Sequence, residues 1–301
     1  MKIAILSKGP GNYSTKRLKE EAKKRGHEVR VINYAKCYVK VEQSRPVVRY
    51  EGQDLGTFDA IIPRIAQSYT RYGSAVLRQF EMQGIYSTAT SIAITRSRDK
   101  LRTMQLLSRA GIGIPKTLFA SETSSFDDLI EQAGGAPLII KVARGTHGNG
   151  VVLAETNKAA KAVMQAFFVE NVSFLVQEFV KESAGTDIRA LVVGNKVVGS
   201  VIRQSLDDDF RSNTHQGGVG KPVKLTEEER RTAIKAARAC GLPVCGVDMM
   251  RSARGPLVLE VNSSASIKTP ELITGRNIAE KVIEYIELNA KRRNKKDRVG
   301  A

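Results

Sequence analysis

Three oxygen-bearing side chains, Asp248, Glu260 and Asn262, stand on two apolar runs joined by the turn Arg254-Gly255-Pro256. Glu260 and Asn262 are two apart, so on a strand they leave the same face, and hairpin pairing places Asp248 across from them. Carboxylate and amide oxygens in that number, with places left for phosphates and water, suit Mg²⁺ held together with a nucleotide better than they suit zinc. Cys245-Gly246-Val247 and Leu257-Val258-Leu259 precede the two acids, and two unpaired carboxylates in such strands would be costly without a cation. The competing reading is that Arg251 or Arg254 pairs them.

A second constellation is Lys141-Val-Ala-Arg-Gly-Thr-His-Gly-Asn-Gly150, a strand that ends in lysine and opens into a loop with three glycines. Backbone N–H groups of such a loop can approach phosphate oxygens, because glycine turns without a Cβ clash. It is neither a Walker A loop nor GxGxxG before a helix, since Val151–Leu153 reads as a strand, so it is expected to cover phosphates as a flap between two strands. An ordinary glycine hairpin with a surface lysine is the alternative. At Gln177-Glu178-Phe179-Val180 an apolar strand breaks into a polar exit that offers backbone groups to an adenine edge, and Asp187 shortly after could accept from ribose hydroxyls. Arg203 at a strand end, and Arg211 within Asp209-Phe210-Arg211-Ser212-Asn213, could each neutralise charge on a transferring phosphoryl group.

The elements that must position these residues alternate from the start: strand Ile3–Leu6, helix Lys16–Lys24, strands Val29–Ile32 and Ala60–Ile62, helix Ser74–Met82. That βα order favours a parallel sheet, with a domain boundary near residue 95. Asp99–Arg109 then repeats Leu101, Met104, Leu106 and Leu107 on one face and stops at Ala110-Gly111. A compact α+β unit follows: strand Thr117–Ala120, helix Ser125–Ala133, strands Leu138–Val142 and Val151–Leu153, helix Lys158–Phe167, strand Phe174–Phe179. Ile188–Val193 and Lys196–Arg203 form a hairpin through Gly194-Asn195. Thr226 with Glu229 makes a capping box before a helix to about Cys240, and a last helix spans about Asn277–Leu288.

The 301 residues, 42% hydrophobic and 26% charged, are enough for a real core and argue against disorder or a disulfide scaffold. Cys37, Cys240 and Cys245 match no zinc or thioredoxin spacing and read as small buried apolar residues, while His27, His147 and His215 form no HExxH pair. No uncharged apolar run reaches the roughly 18 residues of a membrane helix, so a cytoplasmic protein without membrane contact is expected. Net charge is +17, and the segment 291–298, with six basic residues and one acidic, reads as a solvated tail whose removal leaves about +12. Such a field attracts polyanions, so a basic RNA-associated protein without enzymatic activity stands as a rival reading, against which the carboxylates of Asp248 and Glu260 speak.

The order of these parts resembles the ATP-grasp ligases: a lysine before a glycine flap, Gln177-Glu178-Phe179, Asp187, Asp209–Asn213, then Asp248 and Glu260-Val261-Asn262. The wording is closest to the RimK-type glutamate ligases at Pro63-Arg-Ile65, Arg98-Asp-Lys-Leu-Arg102, Gly134-Gly-Ala-Pro-Leu138, Gly150-Val-Val-Leu-Ala-Glu-Thr156 and Asp209–Asn213. The resemblance runs from residue 1 to about 288. It implies an α/β and α+β protein: an N-terminal parallel-sheet (pre-ATP-grasp) domain at 1–95, an ATP-grasp domain at 96–290 with a lid at about 115–178, and a basic tail at 291–301. By the same resemblance, Lys141 would hold ATP phosphates, Glu178 and Phe179 would read adenine, and Asp187 would meet the ribose side. Arg211, Ser212 and Asn213 would meet the phosphate end, with Lys100 as a second phosphate ligand. Asp248, Glu260 and Asn262 would ligate two Mg²⁺ or Mn²⁺ ions, and Arg203 would stabilise an acyl phosphate. The implied reaction adds L-glutamate to an acidic acceptor, such as the C-terminal tail of a small-subunit ribosomal protein, or makes poly-glutamate; a homo-oligomer is compatible with it. One departure stands out: where the family continues from its metal-binding Asn through Ser-Pro-Gly toward Gly-Ile-Glu, this chain reads Asn262-Ser-Ser-Ala-Ser-Ile-Lys-Thr-Pro-Glu271. The turn lies beside the acceptor or amino acid, so a related ligase acting on an amino-group carrier protein or a small peptide is the alternative.

Overall fold

The computed structural model of the chain describes residues 1–43, 45–120, 125–143, 150–183, 185–205 and 219–291. Most of the glycine loop, the segment with Arg211, Ser212 and Asn213, and all but the first residue of the basic tail lie outside the described residues.

The chain opens with β1 (Lys2–Ser7), α1 (Tyr13–Lys24) and β2 (Glu28–Ile32). It then makes an antiparallel excursion, β3 (Cys37–Glu42), β4 (Arg45–Tyr50) and β5 (Gln53–Asp54), before returning through β6 (Ala60–Arg64), α2 (Thr70–Met82), β7 (Tyr86–Ser87) and α3 (Ser91–Arg98). Strands β2-β1-β6-β7 form the expected parallel sheet. Its centre, Ile3-Ala4-Ile5-Leu6, is buried on both faces, which is why it reads as a continuous apolar run. The excursion escaped the sequence reading because β3 is exposed along five of its six residues and carries no buried face to set a period.

Thr90 caps α3 and Asp99 ends it, and the Asp99 carboxylate accepts the Arg102 N–H (2.9 Å) to start α4 (Lys100–Arg109). Next comes a sheet with its own core: β8 (Thr117–Ala120), α5 (Phe126–Ala133), β9 (Leu138–Val142), β10 (Val151–Ala154), α6 (Asn157–Val169) and β11 (Phe174–Glu178), in the antiparallel order β10-β9-β11-β8. Leu138, Ile140, Met164, Phe174 and Val176 fill it under the two helices. Gly150, at φ +76°, closes the β9–β10 hairpin where a Cβ would come within 2.5 Å of the Val142 side chain.

The remaining elements are β12 (Thr186–Val193), β13 (Lys196–Gln204), β14 (Val219–Pro222), α7 (Glu227–Ala239), β15 (Val244–Ser252), β16 (Gly255–Asn262), α8 (Lys268–Thr274) and α9 (Ile278–Asn289). They build an antiparallel sheet ordered β14-β13-β12-β15-β16. The Thr226–Glu229 capping box starts α7 as read from the sequence. One sheet face sets Ile188, Ala190, Val192, Val247 and Met249 against Ala233, Ala236 and Ala237 of α7, in a core continuous with Ala4 and Leu6 of the N-terminal sheet. On the other face Leu191 and Val193 pack with Ile267, Val282 and Ile286, and with Ile3, Ile5 and Leu18. The N-terminal and central sheets are thereby welded through shared cores, whereas the β8–β11 unit keeps a separate one. Cys37, Cys240 and Cys245 are buried free thiols, and no helix among the described residues is long and apolar enough to cross a membrane.

Candidate active site

Where the central sheet's second face leaves its apolar end, strand register lines up a row of charges. Asp187 of β12 faces Arg203 of β13, Arg189 of β12 faces Asp248 of β15, and Asp248 faces Glu260 of β16. Asp187 and Arg189 are two apart, as are Glu260 and Asn262, so all six side chains leave one face. Arg189 grips Asp248 with two N–H groups, Nε to Oδ1 at 2.8 Å and Nη2 to Oδ2 at 2.6 Å. Arg203 donates Nε to Asp187 Oδ1 (2.7 Å) and Nη2 to both Asp187 Oδ2 and Asp248 Oδ2, the latter at 3.0 Å. Asn262 Nδ2 donates to Glu260 Oε1 (2.9 Å) and Asp248 Oδ2 (3.3 Å). Gly246, opposite Asn262, lets the loop after Asn262 pack close to the sheet, since a Cβ there would lie 2.6 Å from Ala265 Cβ.

These partners decide the charge states. Asp248 is 1% exposed, and burial pushes its carboxyl up, yet Arg189 and Arg203 hold it well below the usual carboxylate range. Glu260 has no such clamp. Its carboxylate is reachable by solvent but surrounded by protein, and that desolvation, joined by the negative charge of Asp248, raises its pKa against the hydrogen bond from Asn262. Asp187 is likewise raised by burial, with Arg203 opposing. Arg203 Nη1 is buried and meets no acceptor among the described residues, a donor that costs about 1–3 kcal/mol until one arrives.

Further cations converge on Glu260 from the other units. Lys100, the first residue of α4, donates Nζ to the Val142 carbonyl (3.0 Å) and so ties the helix start to β9. Lys141, on β9 where that strand runs into the glycine loop, is pushed down to about 8, chiefly by burial, with Glu260 opposing and Lys100 adding to the fall. Lys100 and Arg98 are lowered by burial too, and both feel Glu260. Four cations (Lys100, Lys141, Arg189 and Arg203) thus face three carboxylates (Asp187, Asp248 and Glu260), an excess of positive charge suited to a polyanion. The oxygen donors also fit a hard divalent cation. Asp248 already accepts four N–H bonds but keeps one Oδ1 lone pair, and Asn262 Nδ2 sits between the two carboxylates where a cation would relieve them.

Glu178 ends β11 with its carboxylate accepting the Lys116 N–H (2.6 Å) and pairing with Arg254, which pins the strand exit beside half-buried Phe179. Asp187 and Arg203, assigned to opposite ends of a nucleotide, are held to each other in one buried pair. Arg251 and Arg254, the alternative partners for Asp248 and Glu260, are committed elsewhere, to Glu229 and Glu178. Sequence reasoning missed Arg189, although its spacing of two from Asp187 on an alternating strand was the available signal. It also missed Arg64, whose Nη1 reaches the Ala265 carbonyl (2.8 Å) from the end of β6. Arg211, Ser212 and Asn213 lie outside the described residues.

Two family models match most of the chain: the RimK PreATP-grasp domain over residues 1–94 and the RimK-like ATP-grasp domain over 97–286. A protein of Nitrosococcus oceani named "Probable alpha-L-glutamate ligase" is 56% identical over 292 residues, 97% of each chain. One of the same name from Vibrio cholerae serotype O1 is 54% identical over 298 residues, 99% of each chain. Among solved structures, a RimK domain ATP-grasp protein from Sphaerobacter thermophilus superposes with a TM-score of 0.70 at 19% identity, covering 95% of this chain and 100% of the other. The ATP-grasp ligase PsnB complexed with minimal precursor, Mg and ADP gives 0.73 at 19% identity, covering 97% and 98%. At those identities the superpositions establish the ATP-grasp fold, and with the two domain matches and the full-length relatives they show that this chain belongs to the RimK family of ATP-grasp proteins.

Proposed function

We propose that the protein is an ATP-dependent carboxylate–amine ligase that joins L-glutamate to an acceptor carboxylate through an acyl phosphate. The observation that carries this reading is the convergence of Asp248, Glu260 and Asn262 from the central sheet with Lys141 of β9 and Lys100 of α4, oxygen donors together with cations that suit phosphates. The names carried by relatives at 54–56% identity supply the amino acid.

In the first step an acceptor carboxylate oxygen attacks the γ-phosphorus of ATP and the bond to the ADP oxygen breaks. In the second the glutamate amine attacks the acyl carbon, phosphate leaves, and the amine gives up a proton. No protein nucleophile is required. Lys141 and Lys100 hold phosphate oxygens, and Glu178 with Phe179 borders the adenine. Arg189 keeps Asp248 ionised and aimed, and Arg203 brings its free Nη1 toward the developing charge while locking Asp187 near the ribose. Asp248, Glu260 and Asn262 would hold Mg²⁺ or Mn²⁺, which when bound neutralises charge on the transferring phosphoryl group. Positioning and charge neutralisation account for the chemistry.

The acceptor is an acidic chain end, such as a ribosomal protein's C-terminal tail or a growing poly-glutamate. The net charge of +17 supports that choice, because an acidic tail is drawn to a basic cleft. The test is ADP release from ATP and Mg²⁺ with each component omitted in turn. Release should require both L-glutamate and an acidic peptide. Release with glutamate and a neutral dipeptide in place of the acidic peptide would move the reading to a small-substrate ligase.

A further inference from the structure

Four arginines at or beside the site answer to a carboxylate: Arg189 and Arg203 to Asp248, Arg251 to Glu229 and Arg254 to Glu178. Arg64 and Arg98 differ. Arg64 closes β6 of the N-terminal sheet, and Arg98 closes α3, two residues before Lys100. Arg64 donates Nη1 to the carbonyl of Ala265, three residues past Asn262. Arg98 donates Nη2 to the Ile65 carbonyl (2.9 Å) and Nη1 to Gln67 Oε1 (3.3 Å), while its Nε is buried without an acceptor. Among the described residues neither forms an ion pair.

Two half-buried guanidinium groups that repel each other are an unfavourable arrangement unless an anion joins them. Burial and the charge of Arg98 do push Arg64 down, to about 10. In the ligase reading the phosphates of a nucleotide are already served by Lys141 and Lys100. Arginine's planar fork, with one N–H spent on a backbone carbonyl, keeps others for a carboxylate. The place is also right. The loop that Arg64 anchors leads directly from Asn262, and Arg98 lies near enough to Glu260 to feel its charge. An anion held between the arginines would therefore sit beside Glu260 and the loop that follows Asn262.

We infer that Arg64 and Arg98 form a substrate carboxylate subsite, filled either by L-glutamate or by the acceptor's chain end. The inference rests on the ligase reading. Its chemistry is a carboxylate held by paired arginines, and the two sources are separated by the experiment.

Full-length parent, Arg64→Gln, Arg64→Lys and Arg98→Gln proteins are titrated calorimetrically, with a non-hydrolysable ATP analogue and Mg²⁺ present. The ligands are L-glutamate, its two monoamides, and a glutamate-ending peptide as free acid and as C-terminal amide. The expected result is a loss of about tenfold or more for one of the two acids in both Gln variants, with ATP-analogue affinity unchanged and partial recovery in Arg64→Lys. For that ligand, amidating the recognised carboxylate should weaken binding to the parent, and the arginine variants should then add little. Equal losses for acid and amide, or Gln variants that bind both acids as tightly as a parent that ligates, would overturn the subsite alone. A parent that binds the ATP analogue but neither acid, and releases no ADP with them, would overturn the ligase reading and the subsite with it. Should the Gln variants fail to fold, Arg64→Lys against the acid and amide pair in the parent decides the question by itself.

Discussion

Raising the pH from 7 to 9 should weaken ATP binding at least tenfold through the ammonium group of Lys141. In the free protein, burial lowers Lys141 to about 8, against an ordinary lysine value of about 10.4. The charged form therefore prevails below pH 8 and is lost as the pH rises through that value. Phosphate oxygens favour the ammonium, so in the nucleotide complex the pKa climbs back toward the ordinary value and binding takes up a proton. At pH 9, one unit above the free value, about nine-tenths of the free protein must be protonated on binding, which costs about one unit of pKa, or about 1.4 kcal/mol. Lys100, also lowered by burial, acts in the same sense. The assay is titration calorimetry at pH 7, 8 and 9 in buffers of different ionisation heat, which should report roughly 0.1 proton taken up at pH 7 and roughly 0.9 at pH 9. Lys141→Arg, which keeps its charge, should lose that tenfold contribution. A flat profile in the parent, or the same slope in Lys141→Arg, would refute the assignment of Lys141 to the phosphates.

Glu260→Gln should melt at or above the parent temperature at pH 7. The folded carboxyl is raised above its unfolded value, so the stability linked to its proton is present below about pH 4 and lost as the pH rises through the folded value, and a neutral amide avoids that loss. The same variant should turn over at least about a hundredfold more slowly; near-parent turnover would remove Glu260 from the metal site. Arg189→Met strands the carboxylate of Asp248 and should cost about 3 kcal/mol, the low end for a broken buried pair because Arg203 still reaches it, lowering Tm by roughly 6–12 °C. Adding Asp248→Asn should recover part of that stability without activity, and an unchanged Tm in the single variant would contradict the clamp. Across a salt series the Michaelis constant for an acidic acceptor peptide should rise steeply while that for ATP rises less, since exposed charges are screened within about 8 Å at physiological ionic strength; equal slopes would argue against an acidic acceptor.

Despite a bulge that moves Asp248 from opposite Leu259 to opposite Glu260, the hairpin that joins Asp248 to Glu260 and Asn262 was legible, because a turn separates two apolar runs. The partners of those acids were not. Arg251 and Arg254 are near in sequence, whereas Arg189 lies 59 residues from Asp248 and meets it only because β12 pairs with β15. Asp187 and Arg203 were read as separate ligands, but the hairpin through Gly194-Asn195 sets them face to face. Parallel strands such as Ile3–Leu6 announced themselves by burial on both faces, while β3 to β5, mostly exposed, offered no pattern to find. Helix α8 was not anticipated from the sequence; it accommodates Pro270 because proline in a first turn removes only an N–H that has no helical partner.

The most direct test of the central claim is the mass of an acidic acceptor peptide, its carboxylates labelled with oxygen-18, after incubation with the protein, ATP, Mg²⁺ and L-glutamate. The account predicts a peptide heavier by whole glutamyl residues and one labelled oxygen in the phosphate released when the first glutamate joins each labelled carboxylate, because the acceptor oxygen leaves with phosphorus when the amine attacks. An unmodified peptide with ATP consumed, or a glutamylated peptide whose phosphate carries no label, would contradict it.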